Sequence, residues 1–472
     1  DNPYTPLRID SIAVASLRDS VFENNGGATQ GGHIYVDLNA VFDVDNTTFL
    51  NGDANFGGAI YASGDLSIAS SHFEYNTGSA VYGEDCEIID STFIGNIGEF
   101  GGAVYNADLV SGGYFAENSA SVGGGALYDA VTVEDSQFYD NTATDNGGAV
   151  EYAFYARDNV FDNNQADRGG HLSSVGECTR NHFMHGSATF GGAGSGACNP
   201  STDNLFEFNT ADYGGALHYN FSAPESFGDV FVYNTATQNG GAISAGSPFL
   251  AEGNVHRSYF CENHAGGKGG AIYNHTIASS FGFPPLNEYF FFTNNIFAAN
   301  SPSAIYHNSL NTTLGYGKGA EARQNTFVAN GDGLTQPTSG LMPVNSNIFA
   351  DHTGTALTDL WGASPGDVYI INNVFWNNGT DADPYPPGPN NLIADPMFED
   401  WTDDGDCWND DFRLAPGSPA IGAGVGGADA GALGGGGALS DRDGDGHLDA
   451  PPMDNCPDDP NPFQADADCD GI

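Results

Sequence analysis

One four-residue phrase, Phe-x-x-Asn, constrains this chain more than any other feature. It reads FENN from Phe22, FEYN from Phe73, FIGN from Phe93, FAEN from Phe115, FYDN from Phe138 and FDNN from Phe161. It returns at Phe206, Phe231, Phe260, Phe297, Phe327 and Phe375, with weaker copies at Phe49, Phe183 and Phe349. Successive phenylalanines stand mostly 20–30 residues apart, with one step of 37 between Phe260 and Phe297. A second phrase travels with the first: GGAIY from Gly57, GGAVY from Gly101, GGALY from Gly124 and GGAIY from Gly269. Self-similarity at a fixed short period is the mark of a solenoid, in which each repeat buries its apolar face only against its neighbours. The period is too short for a propeller blade, and helical spacing is absent. Short runs of Val, Ile, Tyr, Phe and Thr lie between the phrases, bounded by Gly, Asn and Asp, and read as strands with tight turns. Three such strands and three turns in about 22 residues make one coil of a right-handed parallel β-helix. The expected fold is all-β with about 14 coils, a rod on the order of 70 Å at ~4.8 Å per coil.

Each position then has a predicted job. The Phe points inward and builds an aromatic column. The Asn falls in a turn, tolerates unusual backbone angles and bonds the next Asn above it. The Gly-Gly pair makes a corner where a side chain would clash or φ must be positive. The fourth position of that phrase is aliphatic and points inward; the fifth must point outward. The fifth is Tyr35, Tyr61, Tyr82, Tyr105 and Tyr128, then Glu151, Ser173, His218 and Ser244, then Tyr273 and Tyr306. The outward tyrosines read first as a mutually stacked stripe that steadies the sheet. The sharper reading makes them a flat aromatic track for glycans or a partner protein. Asp65, Asp85, Asp108 and Asp129 fall near one corner and read as a solvated edge rather than a calcium row.

Charge narrows the function. There are 61 acidic against 11 basic residues, a formal charge of −50. Such a chain repels nucleic acid and anionic membranes and attracts cations, calcium above all. No run approaches a membrane-spanning length of apolar residues. The start at Asp1, without Met or a leader, gives the expectation of a processed product. Of seven cysteines, Cys178 and Cys198 are about one coil apart and form a predicted disulfide. With Cys456 and Cys469 in the last segment set aside, Cys86, Cys261 and Cys407 remain, and the odd total leaves at least one unpaired within the chain. Polysaccharide lyases of β-helical build need Lys or Arg beside acidic ligands, but the few basic residues here are scattered. His182 and His185 read as turn or surface residues. No catalytic motif emerges, so the chain reads as non-enzymatic, with a polysaccharide lyase or hydrolase as the alternative.

The paired phrases resemble the repeats of the polymorphic outer membrane protein family of bacterial surface proteins, over roughly residues 20–380. That resemblance implies a secreted β-helical passenger, often adhesive, although nothing after residue 400 reads as strands of the family's membrane barrel. Residues 395–424, with DPMF, DFRL and GSPAIGAG, look like the closing segment of many bacterial right-handed β-helix proteins, except that Gly422 stands where an Asp is common. It is expected to cap the open apolar end, with Trp401, Trp408, Phe412 and Leu414 as a plug. The last 32 residues carry two alternating Asp runs, DRDGDG and DADCDG, with DNCP and NPFQAD between them. Alternating carboxylates before a glycine wrap a hard cation. The stretch is similar to a thrombospondin type 3 repeat, which implies calcium on Asp441, Asp443, Asp445, Asp449, Asp454, Asp466, Asp468 and Asp470. It also leaves Cys456 and Cys469 as a candidate disulfide, and that family's pattern normally runs past Ile472.

The expected organisation is a β-helix over 1–394, a capping segment over 395–433, a glycine-rich linker over 434–440 and a calcium-binding repeat over 441–472. The expected function is a secreted or cell-surface structural and adhesive protein. Its expected partners are surface glycans or further copies of itself stacked head to tail.

Overall fold

The computed structural model describes residues 7–220, 222–246, 253–278, 290–311, 320–337, 342–358, 370–383, 388 and 390–433. The linker and the calcium-binding repeat, with all eight candidate aspartates and Cys456 and Cys469, lie outside these residues. The chain divides into two compact units, residues 1–199 with 209–211 and residues 200–208 with 212–472. Each is a parallel β-solenoid, and together they hold about 14 turns.

In the first unit one turn runs through Thr92–Ile94, Ile97–Phe100 and Val104–Ser111. Each strand pairs in parallel with its equivalent one repeat on. Phe49, Phe73, Phe93, Phe115, Phe138, Phe161 and Phe183 are fully buried and stack at 4.6–5.0 Å between ring centroids. The column repeats in the second unit from Phe206 to Phe375. Phe297 pairs with Phe260 despite the long step between them, so the extra residues leave the register untouched. The weaker copies at Phe49, Phe183 and Phe349 are full members of these columns.

The asparagine ladder forms as expected, with one correction to its cause. Asn96 is buried, and its Nδ2 donates to the Phe73 carbonyl and to Asn118 Oδ1, each at 3.0 Å. Asn118 and Asn141 repeat the pattern. The unusual angle belongs to the residue before the Asn: Tyr75, Glu117, Asp140 and Asn163 have φ of 53°, 56°, 54° and 54°. That residue turns the chain by a left-handed step, which frees the Asn to point inward and satisfy carbonyls that the turn would otherwise strand.

The weaker copies show what replaces a missing Asn. Gly52 and Gly186 stand at the ladder position, and a Cβ on either would strike the ring of His33 or His171, respectively. His171 bridges the gap, with Nδ1 2.9 Å from Asn164 Nδ2 and Nε2 3.2 Å from Asn209 Oδ1. His33 likewise sits 2.7 Å from Asn25 Nδ2. In the third weak copy His352 itself holds the ladder position, and its backbone N–H donates to Asn378 Oδ1. Burial holds all three imidazoles well below the usual histidine range, to about 4 for His33 and about 3 for His171 and His352.

The glycine pair divides its labour. Gly101 has φ +57°, and a Cβ on Gly102 would lie 2.3 Å from the Gly125 carbonyl oxygen of the next turn. One glycine turns the chain, and the other lets two turns approach.

The closing segment departs from expectation. Phe398–Asp400 and Asp411–Leu414 form an antiparallel pair. Phe412 and Leu414 are buried against Val230, Val232, Tyr259, Ile296 and Val328, which flank the Phe column on its outer side. The segment is thus a strap along the outer face of the second unit's Phe sheet, not a plug over its end. Cys407 is disulfide-bonded to Cys261, and the Tyr259 hydroxyl donates to the Cys407 carbonyl. Further along, Val425 N–H donates to Ser346 Oγ and Ala432 N–H to Thr326 Oγ1. Ile393, on the last strand of the column, stays 77% exposed. Trp408 is exposed as well, and Trp401 packs only partly into the strap's cluster. The physical reason lies in the flanks of each Phe. In the first unit they include Thr48, His72, Gln137, Glu23, Glu74 and Asp162, which suit water. In the second they are Val230 and Val232, Ile296 and Ala298, Ile348 and Ala350, so the sheet has two apolar faces and the outer one needs a cover.

Candidate functional site

The fifth-position residues give the first unit its most ordered outer surface. Tyr35, Tyr61, Tyr82, Tyr105 and Tyr128 are register partners from turn to turn. Their rings stack at 5.4, 4.9, 4.5 and 5.3 Å with interplanar angles of 10°, 13°, 3° and 18°. Each inner ring spends both faces on its neighbours. The ladder therefore presents ring edges and phenol groups to its surroundings, not a flat track of open faces. A short second ladder, Tyr273 on Tyr306 at 5.6 Å, occurs in the second unit, where Lys268 Nζ lies 2.7 Å from Tyr306 Oη.

The long ladder stops at Tyr128 because its partner on the next turn is Glu151. The surroundings of Glu151 are specific. Gly123 stands in the column that Phe100 occupies one turn earlier and Asn146 one turn later. A Cβ on Gly123 would lie 1.6 Å from Glu151 Oε2, so the carboxyl fills the gap that only glycine leaves. Glu151 is 4% exposed, and its Oε2 has no hydrogen-bond partner among the described residues. Tyr152 follows in a left-handed conformation, φ 58°, a rare choice for an aromatic residue. That step sets its ring edge-on to Tyr128, 5.4 Å away at 86°, while Phe100 meets Tyr128 at 4.8 Å and 55°. Burial, reinforced by Asp145 and opposed by Asn146, pushes the Glu151 carboxyl up to about 7. Burial and then Glu151 push the Tyr128 phenol up to about 12. Next to this cluster Phe154 is 66% exposed, and Val131 and Tyr155 are exposed too.

The other sequence-level candidates fall as follows. Asp65 and Asp85 are register partners. Asp108 lies between Ala107 and Leu109, which pair with Ala130 and Thr132, so it is level with Val131 and not with Asp129. The four acids thus form no single row. Cys178 and Cys198 are disulfide-bonded as expected, with 4.7 Å between their Cα atoms. Cys86 is the free cysteine among the described residues, and it is buried. His185 is exposed at a turn, with Nδ1 2.8 Å from Asp162, and His182 lies on the outer side of its strand. Among the described residues no group of three or more His, Cys, Asp or Glu is placed to hold a metal. None of the helices among them is long and apolar enough to cross a membrane.

Sequence reasoning missed the Cys261–Cys407 bond, the strap, Glu151 and a buried carboxylate, Asp229. The strap had a signal, the apolar residues on both sides of Phe231, Phe260, Phe297, Phe349 and Phe375. Glu151 had one too, as the first acid to interrupt the tyrosines.

Comparison with known families finds a match. The repeat of the Chlamydia polymorphic membrane protein family matches residues 257–275. That segment holds one complete pair of phrases, Phe260–Asn263 and Gly269–Tyr273. Comparison with curated proteins finds no match.

Proposed function

We propose that this chain is a non-catalytic, adhesive scaffold displayed at or released from a cell surface. The observation that carries the reading is the repeat matched at 257–275, because the same paired phrases build the turns of both solenoid units. The composition supports it: a strongly acidic exterior keeps the chain soluble and away from anionic membranes and nucleic acid. The stacked phenylalanines, asparagine ladder and disulfides favour a rigid support over a mobile enzyme. In its finer form the proposal gives the tail a calcium-dependent fold, with Asp441, Asp443, Asp445, Asp449, Asp454, Asp466, Asp468 and Asp470 as ligands. So acidic and apolar-poor a segment gains a fixed fold only through metal. Copies stack head to tail through open solenoid ends, and surface glycans or proteins are the adhesive partners.

The test is retention of the purified chain on intact cells and on a glycan panel, with and without calcium, alongside light scattering. Saturable retention is the expected result, with growth of particles only when calcium is present. A chain that binds neither cells nor glycans, and that cleaves a polysaccharide, would overturn the proposal in favour of an enzyme.

A further inference from the structure

Glu151 is the one acid on the tyrosine ladder, and its setting is unlike that of a surface carboxylate. A buried carboxyl oxygen without a hydrogen-bond partner is costly, and native structures keep such groups where a partner arrives from outside or where function demands them. Here three rings from successive turns, Phe100, Tyr128 and Tyr152, meet at steep angles about Tyr128, where the rest of the ladder is parallel. The face of Tyr128 turned toward Glu151 has no ladder ring stacked on it. Aromatic faces beside a carboxylate attract a cation by the ring quadrupole and by the charge together.

From this geometry we infer that Glu151, Tyr128, Tyr152 and Phe100 form a docking site for a primary ammonium group, the terminal group of a lysine side chain on a partner protein. The neighbouring groups fit that ligand. Asp145 is the second carboxylate that acts on Glu151, and the Asn146 side chain is a hydrogen-bonding neighbour of the same carboxyl. The cation nearest in register, Arg168, is level with Asn146 and is engaged 5.3 Å over the Phe190 ring, and Arg157 is 3.6 Å from Glu177 and 4.4 Å over the Tyr155 ring. Exposed Phe154 and Val131 give the ligand's apolar stem a surface to lie on. The chain is short of cations, with only two lysines, so the partner must supply this one. Docking adds a charged donor to the Glu151 carboxyl. The inference rests on the adhesive reading for its biological use, but the site is testable on the purified chain without any adhesion assay.

The experiment follows the Glu151 carboxyl by carbon-13 NMR in the full chain labelled at glutamate, with the Glu151→Gln spectrum assigning the signal. The probes are Nα-acetyl-lysine methylamide, its uncharged norleucine counterpart and glucosamine, in about 0.15 M salt to screen general attraction to the acidic surface. We expect the lysine probe to lower the carboxyl's titration midpoint by about one pH unit, and norleucine to leave it in place. By linkage the same probe should bind Glu151→Gln about tenfold more weakly. That substitution keeps the shape that fills the Gly123 gap, so circular dichroism should be unchanged. Tyr152→Gly, which suits the left-handed backbone, should weaken the lysine probe without moving the stability of the unit. An effect from glucosamine alone would uphold the ammonium site and overturn lysine as its source. A midpoint indifferent to both amines, with equal binding to Glu151→Gln, would overturn the site while leaving the adhesive reading standing.

Discussion

Asp229 occupies a ladder position that other turns give to Asn or Ser, two residues before the inward Phe231. It is fully buried. Its Oδ1 accepts from Asn204 N at 2.9 Å and from Asn204 Nδ2 at 3.1 Å, and its Oδ2 accepts from Ser226 Oγ at 2.6 Å. Even with these donors, burial wins and the carboxyl is pushed up to about 6 from an ordinary 3.8. A carboxyl whose folded value is raised supports folding below its unfolded value and loses that support as pH climbs through the folded one. A rise of this size corresponds to about 3 kcal/mol lost above pH ~6. Asp229→Asn removes that loss at little geometric cost. Asn Oδ1 keeps both bonds from Asn204, and Asn Nδ2 donates to Ser226 Oγ, whose hydroxyl can turn to Ser258 Oγ, 3.1 Å away. The assay is urea unfolding of wild type and variant at pH 7.5 and pH 4. The variant should be more stable by about 2–3 kcal/mol at pH 7.5, and the difference should shrink to about 0.6 kcal/mol at pH 4. A variant that is equal or weaker at pH 7.5 would refute the claim that desolvation outweighs the three hydrogen bonds.

Two further outcomes test other parts of the structure. Because the His171 imidazole is held at about 3, the unfolded chain takes up its proton first, so stability falls as pH drops below the ordinary value near 6.5. At pH 4.5 that loss is about 3 kcal/mol. His171→Ala should therefore be weaker than wild type at pH 7.5, because Asn164 and Asn209 lose a partner, yet should show a flatter acid limb in the same unfolding series. Cys407→Ser should release the strap. The 146-residue separation of its disulfide implies about 5 kcal/mol of loop-closure stabilisation in the chain-entropy model. Limited proteolysis should then cut within 395–433 and an apolar dye should bind the uncovered Val232 and Ile296 face, whereas unchanged resistance would contradict the strap.

Much of the fold was legible because a solenoid writes its turn into its period. Phe93, Phe115 and Phe138 could be put in one column from spacing alone, and Tyr82 and Tyr105 in another, since parallel pairing carries equal positions into contact. Cys178 and Cys198 followed from the same arithmetic. What spacing does not carry is contact outside the repeat. Cys407 meets Cys261 because a segment doubles back along the sheet, and no periodic rule links positions so far apart. His33 and His171 were hidden for a subtler reason. They sit where alanine is usual in the glycine phrase, and their purpose shows only when Gly52 and Gly186 are seen to leave the ladder short of a side chain. Glu151 could be placed on the outer face, but that it folds into the space above Gly123 depends on the neighbouring turn. Asp108 and Asp129 share no row because Asp108 stands three residues after Tyr105 and Asp129 one residue after Tyr128, so parallel pairing sets Asp129 level with Asn106.

Turn-by-turn register underlies every contact described above, and distances between spin labels measure it without intermediaries. In a Cys86→Ala, Cys456→Ser, Cys469→Ser background, Thr48→Cys can be paired in turn with Gln137→Cys, Val160→Cys and His182→Cys, all on the outer side of the first unit's Phe sheet. Backbone separations should come out at about 19, 24 and 29 Å, rising by ~4.8 Å for each added turn. Separations that do not grow by one constant step per repeat would contradict the stacked solenoid.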